Sequence, residues 1–89
     1  MALEFASTVD RHGIPRADTL HAMLNAEASA EVEGRPGETT MVYVGHPHPQ
    51  TDRWLEVIAA HRPPRTITVF HSMPLTDQYR YLLQEGKSS

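Results

Sequence analysis

One of the six histidines in this sequence, His71, stands at the end of an apolar, strand-like run that Pro74 closes. An imidazole titrates near neutral pH and can act as a general base or a general acid. Burial without a charged partner favours the neutral ring, which is the form that accepts a proton. His71 is therefore a candidate catalytic residue. The alternative is a structural histidine that hydrogen bonds at the rim of the core, and the residue types alone favour that interpretation.

Metal-independent cleavage of RNA is the chemistry that the residues around His71 could support. It needs a base for the ribose 2′-hydroxyl, a cation for the charge that develops on the phosphate, and an acid for the leaving oxygen. His71 could serve as base or acid, and Arg53 could supply the cation. Tyr79 or Arg80, within about two helical turns of His71, could complete the set. Arg53 is equally explained as a solvated residue that opens an edge strand, and Tyr79 as a core residue with its hydroxyl at the rim.

A metal-dependent hydrolase is a weaker alternative. His46 and His48 flank Pro47 and could bind one metal ion together with His71 or Asp52. Two histidines in a proline-rich loop are, however, typical of an exposed turn. The sequence therefore predicts neither a metal ion nor another cofactor.

Three other polar residues have simpler expected roles. Glu56 interrupts an apolar run, so it either lies on an open sheet face, which is slightly favoured, or pairs with an arginine. His12 and His61 adjoin predicted turns, where we expect capping or exposure to solvent.

Composition limits the classes of protein that this chain can be. It has 89 residues, 39% of them hydrophobic and 21% charged, which predicts one globular domain over residues 1–89. It contains no cysteine, which excludes disulfides, thiolate metal sites and a cysteine nucleophile. A net charge of −3 disfavours a protein that coats nucleic acid non-specifically. No apolar stretch is long enough to span a membrane, so a soluble cytoplasmic protein is expected.

Hydrophobic periodicity predicts the order α-α-β-β-β-β-α. The fold class is α+β, with a four-stranded antiparallel meander, two N-terminal helices and one C-terminal helix. Strict alternation along the last strand puts His71 on the same face as Ile67 and Val69, towards the last helix. The predicted elements are a helix over residues 2–11, a helix that Pro15 opens, strands over residues 28–33, 39–45, 53–60 and 66–71, a helix from Pro74 to Gly86, and a frayed tail at residues 87–89.

Four short motifs occur in an order that spans most of the chain. They are Arg11-His-Gly-Ile14, Val42-Tyr-Val-Gly45, Arg53-Trp-Leu-Glu-Val-Ile58 and Val69-Phe-His-Ser-Met-Pro74. In this order the chain resembles the BrnT-like branch of the RelE-type toxin superfamily, the small ribonuclease toxins of type II toxin–antitoxin modules.

The resemblance implies RNA cleavage that arrests growth. It also implies neutralisation by a cognate antitoxin, typically a ribbon-helix-helix protein, so that DNA is bound only through the complex that represses the operon. Many BrnT-like toxins end the last strand with Ser-Ala-Arg, and the arginine is thought to serve the active site. Here the matching positions are His71-Ser72-Met73, so the cation would have to come from Arg53 or Arg80, or activity is absent.

The alternative function is a non-catalytic interaction domain that kept the toxin fold. Met73 in place of the arginine and the acidic net charge motivate it. Its docking surface would be an uncovered sheet face that carries one of two sets of side chains, either Trp54, Glu56 and Ile58 or Thr66, Thr68 and Phe70.

Overall fold

The computed structural model describes residues 2–87 as an α+β fold with a five-stranded mixed sheet and three helices, one of them a 3-10 helix. In chain order the elements are β1 (Ala2–Phe5), the 3-10 helix (Ser7–His12), α1 (Arg16–Leu24), β2 (Ala28–Val32), β3 (Thr39–Gly45), β4 (Leu55–Arg62), β5 (Thr66–Pro74) and α2 (Asp77–Lys87). Within these residues no helix is long and apolar enough to cross a membrane. Of the tail predicted at residues 87–89, residues 88 and 89 lie outside the described part.

The strands lie in the order β1-β5-β4-β3-β2. From β2 to β5 each strand pairs antiparallel with the next one in the chain. β1 lies at the far edge and runs parallel to β5, with Ala2 opposite Thr66 and Phe5 opposite Val69. The N-terminal strand β1 therefore pairs with the strand that carries His71.

The prediction of a helix over residues 2–11 is wrong, and with it the prediction of a four-stranded antiparallel sheet. Phe5 and Val9 have helical spacing, but the segment divides at Ala6 into β1 and the 3-10 helix. The amide of Ala6 donates to the carbonyl of Val69 at 2.9 Å, so the N-terminal segment satisfies backbone groups at the edge of β5. This parallel pairing joins residues far apart in the chain, and local periodicity carries no signal for it.

Two hydrophobic cores lie on opposite faces of the sheet. The 3-10 helix and α1 cover one face, where the core consists of Val9, Ile14, Ala22, Met23, Leu55, Val57, Ala59 and Val69. α2 packs on the other face, against β2 and β3, with a core of Val42, Val44, Leu75 and Leu82. Because α2 packs against β2 and β3, polar side chains of β4 and β5 on this face lie beside the helix rather than beneath it.

The other predicted elements are present; β3 has the predicted bounds, and the ends of the other strands and of α2 are shifted. Pro15 precedes α1, which is confirmed as the predicted second helix. α2 begins at Asp77 instead of Pro74, because β5 continues to Pro74 and pairs there with Leu55.

Thr19 on α1 and Ser72 on β5 form a buried contact between the first helix and the sheet. Their hydroxyl oxygens are 2.7 Å apart and both side chains are fully buried. We expect Thr19→Val or Ser72→Ala alone to lower the free energy of unfolding by about 1–3 kcal/mol, because a buried hydroxyl loses its partner. The double variant should cost less than the sum of the two single changes. Denaturant unfolding of the four proteins measures this, and strictly additive losses would contradict it.

Candidate functional site

A β-bulge decides which way His71 points. Pairing between β4 and β5 shifts by one residue at Ile58/Ala59, so that Ala59 lies opposite Val69 but Ile58 lies opposite His71. Phe70 is the extra residue. Val69 consequently packs in the core beneath α1, while His71 lies on the α2 face. The prediction that His71 shares a face with Ile67 and Val69 is wrong, because strict alternation fails at the bulge.

Glu56 is the direct partner of His71. Its carboxylate accepts a hydrogen bond from His71 Nε2 at 2.9 Å. The other carboxylate oxygen accepts bonds from the backbone amide of Thr76, at 2.8 Å, and from the Thr76 hydroxyl. Glu56 is only 2% exposed. The expected open-face position and the alternative arginine partner are therefore both wrong: the carboxylate is buried and is held by His71 and by the turn before α2.

The contact with Glu56 determines which nitrogen of the neutral His71 ring carries the proton. A carboxylate accepts, so His71 Nε2 must carry the proton that it donates. In the neutral ring Nδ1 then holds the lone pair and is the proton acceptor. The His71 side chain is 27% exposed, so solvent reaches part of the ring while its carboxylate partner is buried. Glu56 and His71 thus form a dyad in which a buried acid fixes the tautomer of a reachable base.

His12 brings a second imidazole to the dyad. Its ring centroid lies 6.0 Å from that of His71, with the planes 71° apart. The 3-10 helix follows the edge of β5 beyond β1, where the Thr8 hydroxyl donates to the Phe70 carbonyl at 2.8 Å. Gly13, at a left-handed φ of 70°, ends this helix directly after His12. His12 is exposed, as expected, but its approach to His71 depends on a non-local pairing that the sequence does not reveal.

Tyr79 is the second predicted site residue that lies near the dyad. It packs at the edge of the core beneath α2 and borders a groove with Ile58, the cross-strand partner of His71. Partial burial raises the pKa of the Tyr79 phenol above its usual value, and the negative charges of Glu56 and Tyr81 raise it further. The phenol is therefore a neutral hydrogen-bond donor at physiological pH.

The groove beside the dyad has aromatic walls. Its volume is about 460 Å³, and Phe70, Tyr79 and Tyr81 contribute three rings to its lining. Thr40 and Phe70 also line a neighbouring hollow of about 360 Å³ that includes Arg35 and Arg62. The open part of the α2 face therefore runs from the aromatic groove towards two guanidinium groups.

Acidic residues accompany those cations. Arg62 pairs with Glu38 at 3.3 Å and approaches Glu4 at 3.9 Å. Glu33 and Glu38 also line the hollow. The open face therefore mixes both signs of charge, in keeping with the acidic net charge of the chain.

The two predicted arginines line one depression, to which neither His71 nor Glu56 contributes. Arg53 and Arg80 line a separate shallow depression with Trp54, Pro74 and Leu75. Arg80 bonds Asp77 at 3.1 Å and the Leu75 carbonyl at 3.4 Å. Pro74 is three residues beyond His71 on β5, a distance of about 10 Å along an extended strand. Arg53 thus lies with Arg80, and within residues 2–87 neither forms a hydrogen bond or an ion pair with His71 or Glu56.

Comparisons with protein-family models, curated proteins and solved structures find no match to this chain.

The histidine loop that suggested a metal ion has structural contacts instead. His46 Nδ1 lies 2.6 Å from the Arg53 carbonyl, and its ring stacks on Trp54 with centroids 3.8 Å apart. His21 Nδ1 contacts the His46 carbonyl at 2.9 Å, which ties the loop to α1. His48 is exposed. Among residues 2–87 no three His, Asp or Glu side chains are placed to hold a metal ion.

Glu56→Gln tests the assignment of the His71 tautomer without reference to any activity. The glutamine carbonyl can still accept the bonds from Thr76, but its amide must then face His71 and can only donate. We expect the neutral His71 ring to carry its proton on Nε2 in the parent and on Nδ1 in the variant. Nitrogen-15 NMR of the imidazole at a pH above its titration measures the tautomer. The same tautomer in both proteins would contradict the assignment.

Proposed function

We propose that this chain is the toxin of a type II toxin–antitoxin module and cleaves RNA by metal-independent acid–base chemistry. The observation that carries the proposal is the Glu56–His71 dyad, with its basic nitrogen on a partly exposed ring beside an aromatic groove. The resemblance to BrnT-like toxins, which spans most of the chain, supports the same function.

In the proposed reaction His71 is the general base. Nδ1 accepts the proton of a ribose 2′-hydroxyl, and the 2′-oxygen attacks the adjacent phosphorus. The bond from phosphorus to O5′ breaks, which leaves a 2′,3′-cyclic phosphate and, once O5′ gains a proton, a 5′-hydroxyl. Glu56 stabilises the imidazolium that forms when His71 takes the proton, because the charge develops against a buried carboxylate. The phenol of Tyr79 is a neutral donor for a phosphate oxygen.

Single-stranded RNA is the form of substrate that the groove would accept. Bases of an unpaired strand stack on aromatic side chains with little dependence on sequence, and Phe70, Tyr79 and Tyr81 offer three such rings. Arg62 and Arg35 lie at the far side of Phe70, where a neighbouring phosphate would meet them.

Met73 occupies the position at which many BrnT-like toxins carry the arginine. Met73 lies opposite Glu56, so the position of the arginine faces the dyad with an uncharged side chain. Arg53 and Arg80, which line a separate depression with Pro74, would contact a different phosphate of the same strand. Stabilisation of the cleaved phosphate then comes from hydrogen-bond donors at the dyad instead of an arginine.

We also propose, from the family resemblance, a ribbon-helix-helix antitoxin that neutralises the toxin and through which the complex binds DNA.

Expression of the chain alone in a bacterial host tests the function. We expect growth arrest with loss of intact total RNA, and normal growth when His71→Gln is expressed at the same level. Glutamine keeps an amide donor for Glu56 but cannot titrate. Growth arrest by both proteins would place the toxicity elsewhere than at His71.

A non-catalytic interaction domain is the second candidate. Met73 in place of the arginine and the net charge of −3 favour it. It predicts normal growth and intact RNA for parent and variant alike, together with a stable complex with the partner protein.

A further inference from the structure

The proposed reaction requires a proton donor for the leaving oxygen. His12, for which the sequence predicts capping or exposure in a turn, lies beside His71 and is a candidate for this donor. The His12 and His71 rings are 6.0 Å apart at their centroids and meet edge to face. A group at the open rim of this ring contact can accept a hydrogen bond of about 3 Å from a nitrogen of each ring. A phosphodiester that lies there would have one imidazole on the side of its 2′-oxygen and the other on the side of O5′.

The surroundings of the two rings differ, and the difference separates their roles. His71 is bonded to a buried carboxylate, which keeps a proton on Nε2 and leaves Nδ1 as the acceptor. His12 belongs to an exposed segment, and the acidic residue of its own helix, Asp10, is engaged by Arg16 at 2.9 Å. Glu56 on β4 bonds His71, and its charge also acts on the Tyr79 phenol of α2. In its protonated form an imidazole donates from both nitrogens, which is the form that a general acid requires.

We propose that His12 is the general acid of the same reaction, an inference that rests on the proposed ribonuclease function. The 2′-hydroxyl proton passes to His71 Nδ1, the 2′-oxygen bonds to phosphorus, the phosphorus–O5′ bond breaks, and O5′ takes a proton from the His12 imidazolium. Bulk water then returns His12 to the protonated form and His71 to the neutral form. The site is thus assembled from two segments at opposite ends of the chain, which the parallel pairing of β1 with β5 brings together.

A substrate whose leaving group departs without a proton distinguishes an acid from a base. Purified parent, His12→Gln and His71→Gln proteins would be assayed in EDTA on an RNA oligonucleotide and on a nucleoside 3′-(4-nitrophenyl phosphate). His12→Gln is expected to slow RNA cleavage about 100-fold but to slow release of nitrophenolate less than about fivefold. His71→Gln is expected to slow both reactions. His48→Gln, in the exposed loop, is the matched control and should change neither.

The pH profile gives a second readout. A base must be deprotonated and an acid protonated, so the parent rate should rise and then fall as the pH increases. His12→Gln should lose the fall on the alkaline side and keep the rise on the acidic side. Equal RNA cleavage by parent and His12→Gln would overturn the assignment of His12 alone. No cleavage of either substrate by the parent would overturn the ribonuclease proposal together with it.

Discussion

His71→Gln is expected to lower the rate of RNA cleavage by about a thousandfold, which is the scale of a general base removed from a reaction that depends on it. The glutamine amide can donate to the Glu56 carboxylate as the imidazole does, so the buried acid keeps a partner. We therefore expect the free energy of unfolding to stay within about 1 kcal/mol of the parent. Steady-state cleavage assays and denaturant unfolding on the same preparations measure the two quantities.

His48→Gln is the control for this experiment. It makes the same chemical change at a histidine that is exposed in the loop between β3 and β4. If His71→Gln unfolds in the assay buffer, unfolding alone accounts for a loss of activity. The rate of cleavage and the stability must therefore both be measured. A folded His71→Gln protein that cleaves RNA as fast as the parent would show that His71 is a structural residue.

Gly45→Ala is expected to have the largest effect on stability. A Cβ atom at Gly45 would lie 2.2 Å from the carbonyl oxygen of Ala22 and 3.0 Å from its carbonyl carbon. Both are backbone atoms of α1, so a rotamer change cannot relieve the contact. The helix must move away from β3 and disturb the core that it covers. We expect a loss of about 3 kcal/mol, at the upper end of overpacking effects, and a decrease in Tm of roughly 15 °C.

Gly13→Ala provides the matched glycine replacement. Gly13 has a left-handed φ of 70°, but nothing lies within 4 Å of its added Cβ. Its cost should be about 1 kcal/mol, from backbone strain alone. Thermal unfolding of both variants measures the difference. If Gly45→Ala were no more destabilising than Gly13→Ala, the close contact between α1 and β3 would be absent in solution.

The sequence predicts the parts of this fold that local periodicity encodes. Alternation at Ala28, Ala30 and Val32 indicates β2, and Pro15 marks the start of α1. β1 could not be predicted in the same way, since residues 2–5 become a strand only by pairing with residues 66–69. The sequence therefore supports the α+β class and misses the mixed, five-stranded sheet.

Of the candidate site, the sequence indicates His71 but not the residues that the structure places beside it. His71 stands out because it follows an apolar run that a proline closes. The bulge at Phe70 turns it to the other face, and only then can it reach Glu56. His12 joins it through the path of the N-terminal segment along β5. The position of the bulge and the parallel pairing both depend on contacts between strands. No local sequence pattern indicates either of them.

Cleavage of a defined RNA by the purified protein in EDTA is the decisive test of the proposed ribonuclease activity. Two oligonucleotides are needed, the RNA itself and the same sequence with a single 2′-deoxynucleotide at the mapped cleavage position. We expect the RNA to yield a 2′,3′-cyclic phosphate and a 5′-hydroxyl, and the substituted strand to remain intact at that position, because His71 would have no 2′-hydroxyl to deprotonate. Cleavage of both strands, or of neither, would contradict the proposed acid–base mechanism.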